Sequence, residues 1–184
     1  SATANVSFLR DGISFSQVAP EDEEKEHAEP HVDHHATPEF QVWNMRFADI
    51  DAGMRIVGEQ GRKSVYSYLP GSDPSKWVVH PMAYQRIVYQ GLYPGIDVHV
   101  YGAGLDLEYD HVLHPGADIG LIRTVYAGIE RLALNTAGDL VITTALGTQI
   151  QRAPVSWQVI DGVRRAVPVD FVLHNDSTFG FAVR

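Results

Sequence analysis

Apolar and polar residues alternate through most of the chain with the period of two that is typical of β-strands. In the segment Phe40–Phe47, Trp43, Met45 and Phe47 fall on one side, and we expect that side to face a core. The segment Val6–Val18 predicts two short strands joined at Asp11-Gly12, a favoured hairpin turn.

Further strand candidates follow about every ten residues from Leu121 to the end of the chain. Turn residues such as Gly128 and Asp161-Gly162 separate them. The chain contains no amphipathic segment of ten or more residues that would favour a helix. We therefore predict an all-β fold with little or no helix, either one antiparallel β-sandwich-type module or two packed β units.

This pattern divides the chain into four segments. They are an N-terminal β-hairpin (1–19), an acidic, histidine-rich mobile loop (20–39), a first β unit (40–120) and a second β unit (121–184). We expect the two β units to be continuous as one domain.

Composition excludes several classes of function. The 184 residues carry a net charge of -9 and no basic stripe, which argues against nucleic-acid binding. Cysteine is absent, so disulfides and thiolate chemistry are excluded. No apolar run approaches the roughly 20 residues of a membrane span, and we expect no membrane insertion. The chain begins without a signal peptide, as a secreted protein does once its signal has been removed.

The segment 20–39 holds eight acidic residues, four histidines and three prolines. His27, His31 and His35 have helical i, i+4 spacing with His34 beside them, and such imidazoles can share a zinc or nickel ion. Pro30, however, disfavours a helix between the first two. A solvated loop is the favoured interpretation, with metal binding as the alternative.

A second candidate site lies in "YPGIDVHVYGAGLDLEYDHVLHPGAD", Tyr93 to Asp118. Apolar residues alternate on both sides of "GAG", which predicts a hairpin that pairs Val98 with Tyr109 and Val100 with Leu107. That register places three pairs opposite each other on the polar face: Asp97 with Asp110, His99 with Glu108, and Tyr101 with Asp106.

Three interpretations of this acidic face stay open. Water or the side chains of Arg86 or Arg123 could offset the opposed carboxylates, which is the interpretation we favour. A calcium ion could do the same, although we expect no cofactor otherwise. An opposed pair of carboxylates such as Glu108 and Asp110 could also hydrolyse a glycosidic bond.

Several motifs in order resemble a bacterial domain of unknown function found ahead of SBBP-type β-propeller repeats in large secreted, Bacteroidetes-like proteins. The first motif ends in "DPSKW" at Trp77, with Ser67 where the pattern has Asn. "YPGID", "LEYD" and "PGAD" follow, with His111 where the pattern has Phe, and a last motif spans Gly138–Val167. The acidic, histidine-rich segment is not part of the pattern.

This resemblance implies a secreted or cell-surface, β-rich domain without an assigned catalytic set. Its implied partner is a downstream propeller or adhesion-type domain of the same polypeptide. We therefore expect a noncatalytic structural or adhesion-type N-terminal module and not an enzyme.

Two alternatives remain. One is a carbohydrate- or calcium-binding module that uses Trp77 or the face formed by Asp97, Glu108 and Asp110, with a surface glycan as partner. The other is a hydrolase that uses Glu108 and Asp110. Trp77 and Trp157 are expected to anchor the core, although an exposed tryptophan could stack on a sugar ring.

Overall fold

The structure is a computed structural model that describes residues 4–18, 40–104 and 106–184. These residues form antiparallel β-sheets and two short 3₁₀ turns, at Pro74–Lys76 and Ile119–Leu121, and contain no α-helix. The predicted all-β, antiparallel class is thereby confirmed. Within the described ranges, no helix is long and apolar enough to cross a membrane. The histidines at 27, 31, 34 and 35 lie outside the described residues.

The strands follow one another in chain order as β1 (Ala4–Leu9), β2 (Gly12–Val18), β3 (Phe40–Phe47), β4 (Arg55–Glu59), β5 (Arg62–Lys63), β6 (Met82–Ala83), β7 (Arg86–Tyr93), β8 (Ile96–Ala103), β9 (Asp106–Leu113), β10 (Thr124–Ala127), β11 (Arg131–Leu134), β12 (Leu140–Thr144), β13 (Gly147–Gln151), β14 (Trp157–Ile160), β15 (Val163–Ala166), β16 (Val169–Leu173) and β17 (Thr178–Val183). They divide between two compact units. One unit runs to Ala48 and resumes at Ile119–Arg184, and the other is Asp49–Asp118.

The first unit contains a six-stranded sheet in the order β1-β2-β3-β10-β17-β16. β1 and β2 form the hairpin expected around Asp11-Gly12. Trp43, Met45 and Phe47 are buried, as the alternation in β3 predicts. Aromatic rings pack along this core, with the Phe15 and Trp43 centroids 4.0 Å apart. β3 pairs with β2 and β10, so the structure groups it with this unit and not with the strands that follow it.

The first unit also contains a three-stranded sheet, β11-β12-β13, and a two-stranded sheet, β14-β15. The sequence pattern joins β13 to β14 and β15 to β16 as longer strands. The structure separates each pair, with Pro154 between β13 and β14 and Pro168 between β15 and β16. Proline has no N–H to donate to a neighbouring strand, which is why it interrupts a sheet.

The second unit is built on a four-stranded sheet in the order β4-β7-β8-β9. One face of β8 is fully apolar, and Ile96, Val98 and Val100 are buried. Between β4 and β7 the chain makes a long excursion, residues 60–85, that includes the two-residue strands β5 and β6. This sheet carries the acidic face.

Candidate functional site

The β8–β9 hairpin keeps the predicted faces but not the predicted register. Val98 pairs with His111 and Val100 with Tyr109, a shift of two residues from the expected pairing. β8 ends at Ala103 and β9 begins at Asp106, so only two residues connect the strands. Gly104 has a φ of 67°, which supplies the left-handed conformation that tight hairpin turns need. The prediction was wrong because the observed pairing of Ala103 with Asp106 places the turn one residue later than the predicted pairing does.

The observed register removes the opposition of like charges. Asp97 lies opposite Val112, and His99 lies opposite Asp110. Tyr101 lies opposite Glu108. The predicted pairing of Asp97 with Asp110 is therefore wrong, and each carboxylate on this face has a neutral or potentially cationic side chain across from it.

Asp97 is held by its own local contacts at one end of the sheet. Its Oδ1 accepts a hydrogen bond from the Gly91 N–H at 2.6 Å, and its Oδ2 lies 3.0 Å from His114 Nε2. Burial alone would raise the pKa of Asp97, but the bond from Gly91 and the nearby His114 outweigh it and bring the pKa below 3.8. Gly91 interrupts the pairing of β7 with β8, so this carboxylate fixes a bulge.

The carboxylates at the opposite end are exposed. Asp106, Glu108 and Asp110 all lie at the surface of β9. The Tyr101 hydroxyl donates to Asp110 Oδ2 at 2.9 Å, and this bond, together with partial burial, raises the pKa of Tyr101 to about 12. Tyr101 therefore stays protonated and acts as a hydrogen-bond donor to the acidic face.

Arg86 is the cation next to this face. Its Nη1 lies 3.3 Å from Glu59 Oε2, and its guanidinium carbon lies 6.0 Å from the centre of the Tyr101 ring. Within the described ranges, no three His, Asp or Glu side chains are grouped so that they could hold a metal ion. The geometry therefore gives a polar strand face with local hydrogen bonds.

Residues 1–184 match a family described as "Domain of unknown function (DUF7948)". The chain belongs to the DUF7948 family. No curated protein and no solved structure matches it. Family membership assigns no activity, so the function of this DUF7948 domain has to be argued from its surfaces.

Both tryptophans expected in the core lie at the surface of the DUF7948 domain. Trp77 is 39% exposed, and its Nε1 donates to the Gly71 carbonyl at 3.3 Å. Trp157 is exposed in β14, with the Arg164 guanidinium carbon 3.4 Å from its ring centre. The core-anchor prediction was wrong for both. Trp157 lies in a two-stranded sheet whose residues are all exposed, and Trp77 follows the 3₁₀ turn of the 60–85 excursion.

The sequence pattern also missed a hollow in the second unit of the DUF7948 domain. Its volume is about 500 Å³, and it is lined by Gln60, Tyr84, Gln85, Arg86, Tyr101 and Gly102. The sequence pattern indicates two of these residues, Arg86 as a counter-ion for the acidic face and Tyr101 as a member of that face. No local motif marks the rest, since the ends of β4 and β8 and the start of β7 meet only in the folded sheet.

Proposed function

We propose that this domain is a noncatalytic structural module of a larger secreted or cell-surface protein, and that its 60–85 excursion docks on the following domain of the same polypeptide. The secreted setting and the propeller-type neighbour come from the resemblance of the sequence motifs. The observation that carries the docking proposal is the exposure of apolar side chains along the excursion.

The excursion exposes an unusually dense set of large apolar side chains. Val65 is 81% exposed and Tyr66 is 79% exposed. Seven more large apolar residues of the excursion are also exposed, namely Tyr68, Leu69, Trp77, Val78, Val79, Met82 and Tyr84. Concentrated exposure of this kind is typical of surfaces that bind another protein, because their burial is favourable in water.

Short-range hydrogen bonds give the excursion a defined shape. Tyr68 and Val78 exchange two backbone hydrogen bonds of 2.8 Å. The Asp73 carboxylate accepts from the backbone N–H of Ser75 at 3.1 Å and so caps the 3₁₀ turn. A surface that is already shaped loses less conformational entropy on docking than an unstructured segment does.

The charge of the excursion indicates the chemistry of its partner. Residues 60–85 contain three basic residues, Arg62, Lys63 and Lys76, and one acidic residue, Asp73, in a chain whose net charge is -9. A complementary surface is therefore apolar at its centre and acidic at its rim.

Hydrogen–deuterium exchange tests the docking proposal. We expect amides of residues 64–84 to exchange more slowly in a polypeptide that carries this domain with the domain that follows it than in the 184-residue domain alone. A double variant, Val65→Asp with Val79→Asp, should remove the added protection and leave the isolated domain folded, since both side chains are exposed.

Val155→Asp is the matched control, because Val155 is similarly exposed but lies in the other unit, outside the excursion. It should leave the protection unchanged. Equal exchange of residues 64–84 in the short and long polypeptides would show that the excursion does not dock on the following domain.

A further inference from the structure

The six-stranded sheet of the first unit has two outer strands that differ in how they are protected. β16, on one side, follows Pro168 and carries Asp170, whose Oδ2 lies 2.7 Å from Arg184 Nε. Charges and prolines of this kind discourage another strand from pairing with an edge. β1, on the other side, has the sequence ANVSFL, without charge or proline, and it pairs with β2 without a bulge. Within the described part of the chain, β1 is therefore an edge open to strand pairing.

Two rows of apolar side chains cross this sheet and end in β1. The rows are Trp43, Phe15 and Val6, and Met45, Ile13 and Phe8. Trp43, Met45 and Ile13 are buried, whereas Val6 is 37% exposed and Phe8 is 39% exposed. A further strand beside β1 would place a side chain next to each of these two residues and extend both rows.

The sequence of β1 is complementary to itself. When two identical strands pair antiparallel about a two-fold axis, opposed residues lie on the same face of the joined sheet. Placing Ser7 opposite Ser7 of the second copy sets Val6 against Phe8 of the second copy, and Phe8 against Val6 of the second copy. Each exposed apolar side chain then has an apolar side chain across from it, and no charges are opposed. Moving the axis by one residue in either direction breaks up both pairs of valine with phenylalanine.

We propose that two copies of this domain associate by antiparallel pairing of their β1 strands about Ser7, so that their six-stranded sheets become one continuous sheet. The new neighbours cover Val6 and Phe8. The paired strands are six residues long and each copy has a net charge of -9, so the association is weak compared with that of an obligate dimer. This surface lies in the first unit, and the proposal does not depend on docking by the excursion.

Sedimentation equilibrium of the 184-residue protein at concentrations from about 10 μM to about 1 mM tests the proposal. We expect a reversible equilibrium between monomer and dimer. Ser7→Glu should raise the dissociation constant of the dimer by about fivefold or more, because it places two carboxylates opposite each other across the axis. Ser7 is exposed, so this variant should keep its fold, which circular dichroism checks.

A charge exchange tests the register of the pairing. Ser7→Lys should also weaken its own homodimer. An equimolar mixture of Ser7→Lys and Ser7→Glu should nevertheless form mixed dimers at least as tightly as the unaltered protein associates, because a lysine then faces a glutamate. A mixture that stays monomeric would show that position 7 does not face position 7, and would overturn the proposal.

A disulfide gives an independent measurement. The chain contains no cysteine, so Ser7→Cys introduces a single thiol. Opposed residues of paired strands have Cβ atoms roughly 5 Å apart, which a small adjustment brings within the range of a disulfide. Mild oxidation should therefore link two Ser7→Cys chains. Val172→Cys is the matched control, because Val172 is as exposed as Val6 but lies in β16, and it should cross-link much more slowly.

The proposal is overturned if the unaltered protein stays monomeric at about 1 mM. It is equally overturned if a dimer forms and Ser7→Glu leaves it intact. Loss of such a dimer in the double variant Val65→Asp with Val79→Asp would place the contact in the excursion instead. Equal rates of cross-linking for Ser7→Cys and Val172→Cys would also overturn it, because the two edges would then meet only by chance collision.

Discussion

Two hairpins of this domain, β8–β9 in one unit and β14–β15 in the other, are built from similar alternating sequences. In β8, Ile96, Val98 and Val100 are buried on one face. In β14–β15, every residue of both strands is exposed. The difference lies in sheet membership, since β8 has β7 and β9 on its two sides whereas, among the described residues, β14 and β15 pair only with each other.

A period of two specifies a strand and its two faces. Whether a face is buried depends on which strands lie beside it. An isolated two-stranded sheet has little apolar contact to stabilise it in water. β14–β15 should therefore open locally more easily than β8–β9, which opens only when its sheet is lost.

The largest expected effect compares one isoleucine from each hairpin. Ile96 in β8 is 0% exposed, and Ile160 in β14 is 41% exposed. Ile96→Ala should lower the free energy of unfolding by about 2–5 kcal/mol, because it removes buried methyl groups and leaves a cavity. Ile160→Ala should change the free energy of unfolding by no more than about 0.5 kcal/mol. Urea denaturation followed by circular dichroism measures both, and equal losses would refute the contrast in burial.

The sequence predicted the features that depend on local periodicity. The buried face of β3, the first hairpin and the segregation of Asp97, Glu108 and Asp110 from Val98 all follow from alternation. Each is determined by which side of a strand a residue occupies, and a pleated strand fixes that without reference to the rest of the fold.

The remaining features depend on contacts that alternation does not encode. The β8–β9 register depends on the position of the turn at Gly104, and a shift of two residues keeps the same faces. The exposure of Trp157 depends on which strands lie beside its hairpin, and that of Trp77 depends on the course of the 60–85 excursion. The hollow joins Gln60 and Gly102 through the pairing of β4, β7 and β8, and this pairing has no signature in any single segment.

A smaller effect concerns how the free energy of unfolding depends on pH, and it is specific to β8–β9. Burial of His111 lowers its pKa to about 4, against about 6.5 for an unfolded chain. The unfolded chain therefore binds a proton first as pH falls, so stability is full above about pH 6.5 and declines towards pH 4. The loss is at most about 3 kcal/mol, and it should be smaller because His111 is only half-buried.

Replacing the histidine isolates this contribution. Denaturant unfolding between pH 4 and pH 7 should show a shallower pH dependence for His111→Leu than for the unaltered protein. Asp97 contributes mainly at lower pH, because its pKa lies below 3.8. Parallel curves for the two proteins would show that the imidazole titrates normally and that this face of β9 is not buried.

The smallest effect concerns β14–β15, and it separates two adjacent arginines. Arg164 stacks on Trp157, whereas Arg165 is paired with Gln158 and points to the opposite face of the hairpin. Arg164→Ala should remove about 0.5–1 kcal/mol of cation–π stabilisation, and Arg165→Ala should not. Because the hairpin pairs with no other strand of the described part of the chain, the loss should appear as faster amide exchange within residues 157–166 and not as a lower global stability. If Arg164→Ala instead lowered the free energy of unfolding of the whole domain, β14–β15 would be coupled to the core. The two hairpins would then differ in exposure and not in how easily they open.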